Sequence, residues 1–331
     1  MKISRLKLMA LVSGFILLVV LMLALIKKNE SIVDNTDATQ YNIMDKELLC
    51  IQPVSGETAE DIQIEYDVTG KTFTAYMTDE NEVFDDGQID YGSPLIASVV
   101  SDNEEELIRV TVKLKDYCTY SSEINNNSLY VRFEKIDKKD DKLIVIDPGH
   151  GGYDVGAQNG DIYEKDINLS VANYLCDILE KNGYIPIMTR HSDVFVSVED
   201  RVDFANNMSP RLFISIHCND NEDSSAQGTE VLYNIKDTAE KNSSLWLSKI
   251  LLESVTSSVG TRKRDVISGN SIHIVRSAKI PMALVEMGFM SNEKDLQILS
   301  TSQGQKRFAQ GIAEGIIEAM TELKEMETKN E

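Results

Sequence analysis

From Leu8 to Ile26 the chain carries no charged residue, while Lys2, Arg5 and Lys7 precede this run and Lys27 and Lys28 close it. The run approaches the ~20 apolar residues that a helix needs to cross bilayer hydrocarbon. Its basic start predicts a cytoplasmic N-terminus with everything after Lys28 outside. Residues 1–28 therefore read as a single-pass transmembrane anchor. The alternative is a signal peptide whose cleavage releases a secreted product. Such a segment usually has a shorter apolar core, and "LALIKKNE" offers no small-residue cleavage site. Residues 29–41 ("NESIVDNTDATQ" and its flank) are polar and read as a linker that holds the remainder off the membrane.

Two different rhythms follow. Up to about residue 133, "IQIEYDV", "TFTAYM", "IRVTVKL" and "LYVRF" alternate apolar and polar positions and favour β-branched and aromatic residues. Turn clusters ("DDGQ", "SDNEEE", "NNNS") separate them, and no long helical pattern intervenes. Residues 42–140 thus predict a small antiparallel β-sandwich, ended by the charged "EKIDKKDDK".

Residues 141–331 change period. "LIVI" is a short buried strand, and "DINLSVANYLCDILEKNG" is a helix with Leu169, Ala172, Leu175, Ile178 and Leu179 on one face and Gly183 at its end. The strand "YIPIMT", a helix "SVEDRVDFANN" capped by Ser197, and the strands "RLFISIH" and "GTEVLYN" come next. A helix from Ala239 to about Val255, the strands "SIHIV" and "MALVEMGF", and a long final helix complete the chain. This alternation predicts an α/β domain with a mainly parallel sheet flanked by helices.

Charge narrows the partners. The 331 residues carry a formal net charge of −21, with no basic footprint for a phosphate backbone, so nucleic acid is excluded as a partner. Cysteines 50, 118, 176 and 218 form no CxxC pair and outline neither a disulfide framework nor a cysteine zinc site. Cys218 follows a histidine, yet nothing near it marks an activated thiol.

The candidate chemistry lies at strand ends, where open α/β sheets bind ligands. His150 follows the first strand in "VIDPGHGG", His217 ends "LFISIH", and Glu286 ends "MALVE". Glu164 lies directly before the first helix. Two histidines and a carboxylate make a common catalytic zinc shell with one position left for water. A further carboxylate that is not a ligand then serves as general base. The glycines at 149, 151 and 152 free the backbone to turn the His150 imidazole into a cleft. Asp147 is a candidate to orient a ligand histidine through its second ring nitrogen. Arg190, Arg201 and Asn219 are candidates to contact substrate or to brace loops, with bracing favoured for Arg201, which sits within an amphipathic helix. His191 and His273 read as structural. Taken singly, Glu164 could cap its helix and Glu286 could pair with a nearby arginine.

The blocks "VIDPGHGGYDVGAQ", "EKDINLSVANYL", "TRHSDVFVSVEDRVDFAN", "LFISIHCN", "GTEVLYN" and "PMALVEMGFMSN" resemble, in order, the zinc-dependent N-acetylmuramoyl-L-alanine amidases of bacterial cell walls. The resemblance covers residues 143 to about 320. It implies one Zn2+ bound by His150, Glu164 and His217, with Glu286 catalytic. The reaction it implies is hydrolysis of the amide joining the muramic acid lactyl group to L-alanine of peptidoglycan stem peptides. It also implies a location outside the bacterial cytoplasmic membrane, with peptidoglycan as partner, and is compatible with a regulatory protein partner. Residues 45–135 look more loosely like an AMIN-type β domain. With one ordinary helix between His217 and Glu286, no inserted plug over the zinc is expected. A zinc peptidase on the same sheet plan and a non-catalytic wall-binding protein are the competing readings.

Overall fold

The computed structural model describes residues 41–45, 48–51, 62–78, 93–104, 107–126, 128–138 and 140–330. The expected anchor and nearly all of the linker lie outside the described residues. Among those described, no helix is long and apolar enough to cross a membrane.

The first half forms two antiparallel four-stranded sheets. One contains β1 (Tyr41–Asp45), β2 (Leu48–Ile51), β7 (Cys118–Asn125) and β8 (Ser128–Lys135), in the order β1-β2-β8-β7. The other contains β3 (Gln63–Asp67), β4 (Thr72–Thr78), β5 (Ile96–Glu104) and β6 (Leu107–Leu114), in the order β3-β4-β6-β5. Their inner faces share a core in which Phe73 meets Phe133 edge-on with ring centroids 5.5 Å apart. The alternation in the sequence is thus the pleat of a sandwich, with every second side chain pointing inward.

The second half is a mixed six-stranded sheet flanked by helices. Its strands are β9 (Leu143–Pro148), β12 (Ile185–Met188), β13 (Leu212–Asn219), β14 (Thr229–Tyr233), β15 (Lys263–Ser268) and β16 (Met282–Phe289). Two short strands, β10 (Gln158–Asn159) and β11 (Ile162–Tyr163), form a separate hairpin. The sheet order is β12-β9-β13-β16-β14-β15. All its pairings are parallel except β14 with β16. That one reversal brings the start of β14 beside the end of β16.

The helices are α1 (Glu164–Lys181), α2 (Val198–Met208), α3 (Ser244–Val259), α4 (His273–Ser277), α5 (Glu293–Leu299) and α6 (Ser302–Asn330). β9 is buried along its whole length. Ile144 and Ile146 join the core under α1, α3 and α6. Leu143 and Val145 face the opposite way, into a core shared with α2, α4 and the sandwich. Tyr117 of the sandwich packs edge-on against Phe204 of α2, with ring centroids 5.1 Å apart, so the two halves share buried apolar surface.

Ser197 caps α2 as expected, accepting from the Asp200 amide at 3.1 Å. Three elements differ from the sequence reading. "SIHIV" is the short helix α4 rather than a strand, because adjacent Ile274 and Val275 are both buried, and five residues are too few for periodicity to separate the two states. α3 starts five residues later than expected, where the Ser243 hydroxyl accepts from the Trp246 amide, and it ends at left-handed Gly260 (φ 79°). β15 has no expected counterpart: its side chains are mostly exposed, so it lacks the apolar run of the inner strands.

Candidate active site

Tight turns bring the polar strand ends together. After β9, His150 adopts a left-handed conformation (φ 61°), followed by Gly151 and Gly152 at φ 138° and 60°. Gly149 and Gly156 matter for space. A Cβ on Gly149 would fall 2.2 Å from the His217 ring, and one on Gly156 would fall 2.5 Å from Glu164 Oε2 and 2.7 Å from the His150 ring. Each glycine therefore clears room for a side chain of the site.

His150, Glu164 and His217 each offer one donor atom, and the three atoms lie within 4.8 Å of one another. Glu164 is the first residue of α1, at the positive end of the helix dipole. Its Oε1 lies 2.9 Å from His217 Nδ1 and accepts from the Cys218 amide at 2.9 Å. Its Oε2 lies 3.2 Å from His150 Nε2 and accepts from the Ala157 amide at 2.8 Å. The remaining nitrogen of His150, Nδ1, meets Asp154 Oδ1 at 2.9 Å, which fixes the ring with Nε2 facing the cluster.

These contacts set the charges. Burial alone would push the Glu164 carboxyl up, but the two imidazoles outweigh it and hold the group well below the carboxylate range. Burial likewise disfavours charge on His150, yet Glu164 and then Asp154 raise it to about 9. His217 is raised in the same way by Glu164. Two imidazoles and a carboxylate thus converge on one point. The same donors fit a divalent ion of the zinc type, which takes histidine nitrogen and carboxylate oxygen with one position left for water.

Glu286 stands beside this cluster, opposite His217 in the β13–β16 register. Its Oε2 is enclosed and has no hydrogen-bond partner among the described residues. Burial pushes its carboxyl up to about 7; His217 opposes the shift, and Glu164 and Glu230 add to it. An orphaned buried oxygen of this kind marks a place where a ligand or water belongs.

The structure moves three sequence candidates out of direct contact with the cluster. Asp147 touches neither histidine. It is fully buried and accepts from Arg201 Nη1 (2.8 Å), Thr189 Oγ1 (2.6 Å) and Ser215 Oγ (2.6 Å). The orienting role expected of it is filled geometrically by Asp154, four residues beyond His150. Arg190 is wholly buried and donates to the carbonyls of Pro148, Gly149, Lys165 and Ser192, so it braces the turn and does not face a cleft. Asn219 donates to Glu230 Oε1 at 2.7 Å. Arg201 braces as expected: beyond Asp147 it donates to the Pro148 and His150 carbonyls, both at 2.7 Å.

Glu230 and Arg264 were not singled out from the sequence. Glu230 pairs with Glu286 across β14–β16 and accepts from Arg264 Nε at 2.6 Å, while the Arg264 guanidinium lies over the Phe289 ring. The signal was absent locally, because their proximity depends on the antiparallel β14 and the unforeseen β15. His191 and His273 lie outside the cluster, the latter beside Arg276. Burial raises the Cys218 thiol well above its ordinary range, the reverse of an activated nucleophile.

An α/β sheet that gathers this donor set at its carboxyl edge, with an enclosed carboxyl alongside, has the architecture of a hydrolase. The family described as N-acetylmuramoyl-L-alanine amidase matches residues 144–318. The chain belongs to this family of peptidoglycan amidases. It is 33% identical over 176 residues to the amidase LytC of Bacillus subtilis, covering 53% of this chain but only 35% of LytC. Among solved structures, the catalytic domain of the amidase CwlV from Bacillus (Paenibacillus) polymyxa var. colistinus matches with a TM-score of 0.51 at 33% identity, covering 54% of this chain and 98% of that one. The CwlD amidase of Clostridioides difficile, solved in complex with the GerS lipoprotein, matches with a TM-score of 0.51 at 30% identity, covering 54% and 98%.

Proposed function

We propose that this chain is a zinc-dependent N-acetylmuramoyl-L-alanine amidase that hydrolyses the amide between the muramic acid lactyl group and the L-alanine of the stem peptide. His150, Glu164 and His217 would hold the ion, and Glu286 would move the protons. The observation that carries this reading is the unpartnered Glu286 Oε2 beside three converging donors. When bound, the ion supplies Lewis-acid polarisation of the amide carbonyl and acidifies water.

The chain's own groups do the rest. Glu286, raised to about 7 by burial, is poised to accept a proton from the attacking water and return it to the departing alanine nitrogen. Asp154 holds His150 in one orientation. Arg190 and Arg201 clamp the carbonyls of the strand exit, so the His150 loop keeps its shape while substrate binds. Asn219 is held by Glu230, to which its side-chain amide donates at 2.7 Å.

The same proposal makes residues 1–28 an anchor in the bacterial cytoplasmic membrane with the catalytic domain outside, and residues 42–140 an AMIN-like module that locates the enzyme on the wall. A regulatory protein partner fits this arrangement; the similar CwlD amidase was solved in complex with the GerS lipoprotein.

Digestion of purified peptidoglycan by the full chain, with and without chelator, tests the reaction. Mass spectrometry is expected to find intact stem peptides with new L-alanine amino termini, and none after chelation. Shortened stems still attached to glycan would overturn the reading.

A further inference from the structure

We propose that Tyr153 and Phe195 form a saccharide-binding platform on the rim of the site, which seats the pyranose ring next to the scissile amide; this rests on the amidase reading above. Their rings are stacked, with centroids 4.3 Å apart and planes at 25°. Tyr153 is nonetheless 80% exposed and Phe195 42%. Six large apolar side chains are exposed among the described residues, and three of them, these two and Val198 (43%), come from 153 and 195–198. Scattered exposed apolar residues need no explanation, but a cluster beside a reactive site marks a ligand surface.

The platform is built rather than accidental. The Gly152 amide donates to Asp193 Oδ1 at 2.8 Å, and Lys165 Nζ bridges Asp193 Oδ2 (2.5 Å) and the Gly152 carbonyl (2.9 Å). A Cβ on Gly152 would fall 2.8 Å from the Phe195 amide nitrogen, and one on Gly151 would fall 2.2 Å from the Val194 carbonyl oxygen. Only glycines permit these two loops to meet so closely. An ion pair and two glycines therefore hold the aromatic stack in place before any ligand arrives, which lowers the ordering cost of binding.

Chemistry selects the ligand. One face of the Tyr153 ring is taken by Phe195 and the other is open. The face of an aromatic ring is negative, and a pyranose presents a face of weakly positive C–H groups that fits it. The Asp154 and Asp193 carboxylates, respectively adjacent to Tyr153 and two residues before Phe195 along the chain, are both partly exposed and can accept from sugar hydroxyls. A nucleobase would also stack, but a chain of net charge −21 repels its phosphates. Tyr153 lies three residues beyond His150, at the β9–β12 end of the sheet edge, whereas Glu286 lies two strands over on β16. The saccharide would thus lie over β9 and β12, and the stem peptide would run toward β16 and β14.

The test compares the full chain with its Tyr153→Ala, Phe195→Ala and Tyr153→Phe variants on two soluble substrates: a disaccharide-peptide, and a lactyl-peptide lacking the sugar. Thermal unfolding checks that the alanine variants remain folded. The alanine variants are expected to raise KM for the disaccharide-peptide about tenfold, with kcat within about twofold. They are expected to leave the lactyl-peptide unchanged, and Tyr153→Phe to behave as wild type. An unchanged KM, or an equal change on both substrates, would overturn the platform. Calorimetric titration with the disaccharide alone gives a readout independent of turnover: weaker binding by Tyr153→Ala supports the platform, and equal binding overturns it. If sugar binding depends on Tyr153 while the wild-type chain leaves the amide intact, the amidase reading falls and the platform stands.

Discussion

Glu164 and Glu286 are two carboxyl groups of one site with opposite surroundings. Both oxygens of Glu164 are engaged by imidazoles and backbone amides, and the group is held well below the carboxylate range. Glu286 keeps one enclosed oxygen without a partner and is pushed up to about 7. Residue type is the same; environment divides the work. A carboxyl satisfied by donors remains an anion fit to hold a cation, and one starved of donors becomes a proton carrier.

The comparison can be broken from either side. Replacing Glu286 by Gln removes the proposed proton carrier and leaves the donor trio whole, so kcat is expected to fall about 10²- to 10⁴-fold in steady-state assays while KM moves little. The scaffold beneath the site gives the next effect. Arg201→Met leaves Asp147 buried without its cation, and chemical denaturation is expected to show a loss of about 3–5 kcal/mol.

Stability also separates the two carboxyls. A raised folded pKa stabilises the fold while the group is protonated, below its unfolded value near 4.5; that contribution is lost as pH rises through about 7. In metal-free protein at pH 8, Glu286→Gln is therefore expected to be more stable than wild type, by at most about 3 kcal/mol, with the gap closing near pH 4. The gain would be the mark of a group kept for function at a cost in stability. The smallest effect concerns the trio. Because Glu164 raises the His150 imidazole to about 9 and shifts His217 upward as well, binding of the ion near neutral pH is expected to displace protons. Apparent zinc affinity measured by competition is expected to rise about tenfold per pH unit for each proton released as pH climbs from 6 toward 9.

Strand ends and glycines made much of this arrangement legible in the sequence. His150 follows β9, and His217 and Glu286 lie in the carboxyl-terminal halves of the apolar strands β13 and β16; such positions gather along one edge of an α/β sheet by construction. Contacts set by tertiary geometry were not legible. Asp147 sits in the strand before His150 and looked like its neighbour, but the pleat turns it beneath the sheet edge onto Arg201. Asp154 is closer because the left-handed turn at His150–Gly152 folds the chain back. Glu230 reaches Glu286 only because β14 runs antiparallel, and nothing local in "GTEVLYN" reports strand direction. Arg190, an isolated charge in the sequence, became a fully buried brace because four carbonyls converge on it.

Elemental analysis of the wild-type chain, Glu164→Ala and Glu286→Gln, purified side by side and assayed on peptidoglycan, bears most directly on the division of labour between the two glutamates. The account predicts a single zinc ion per chain in wild type and Glu286→Gln, little or none in Glu164→Ala, and stem-peptide release by the wild type alone. Full zinc in Glu164→Ala, or wild-type release by Glu286→Gln, would contradict it.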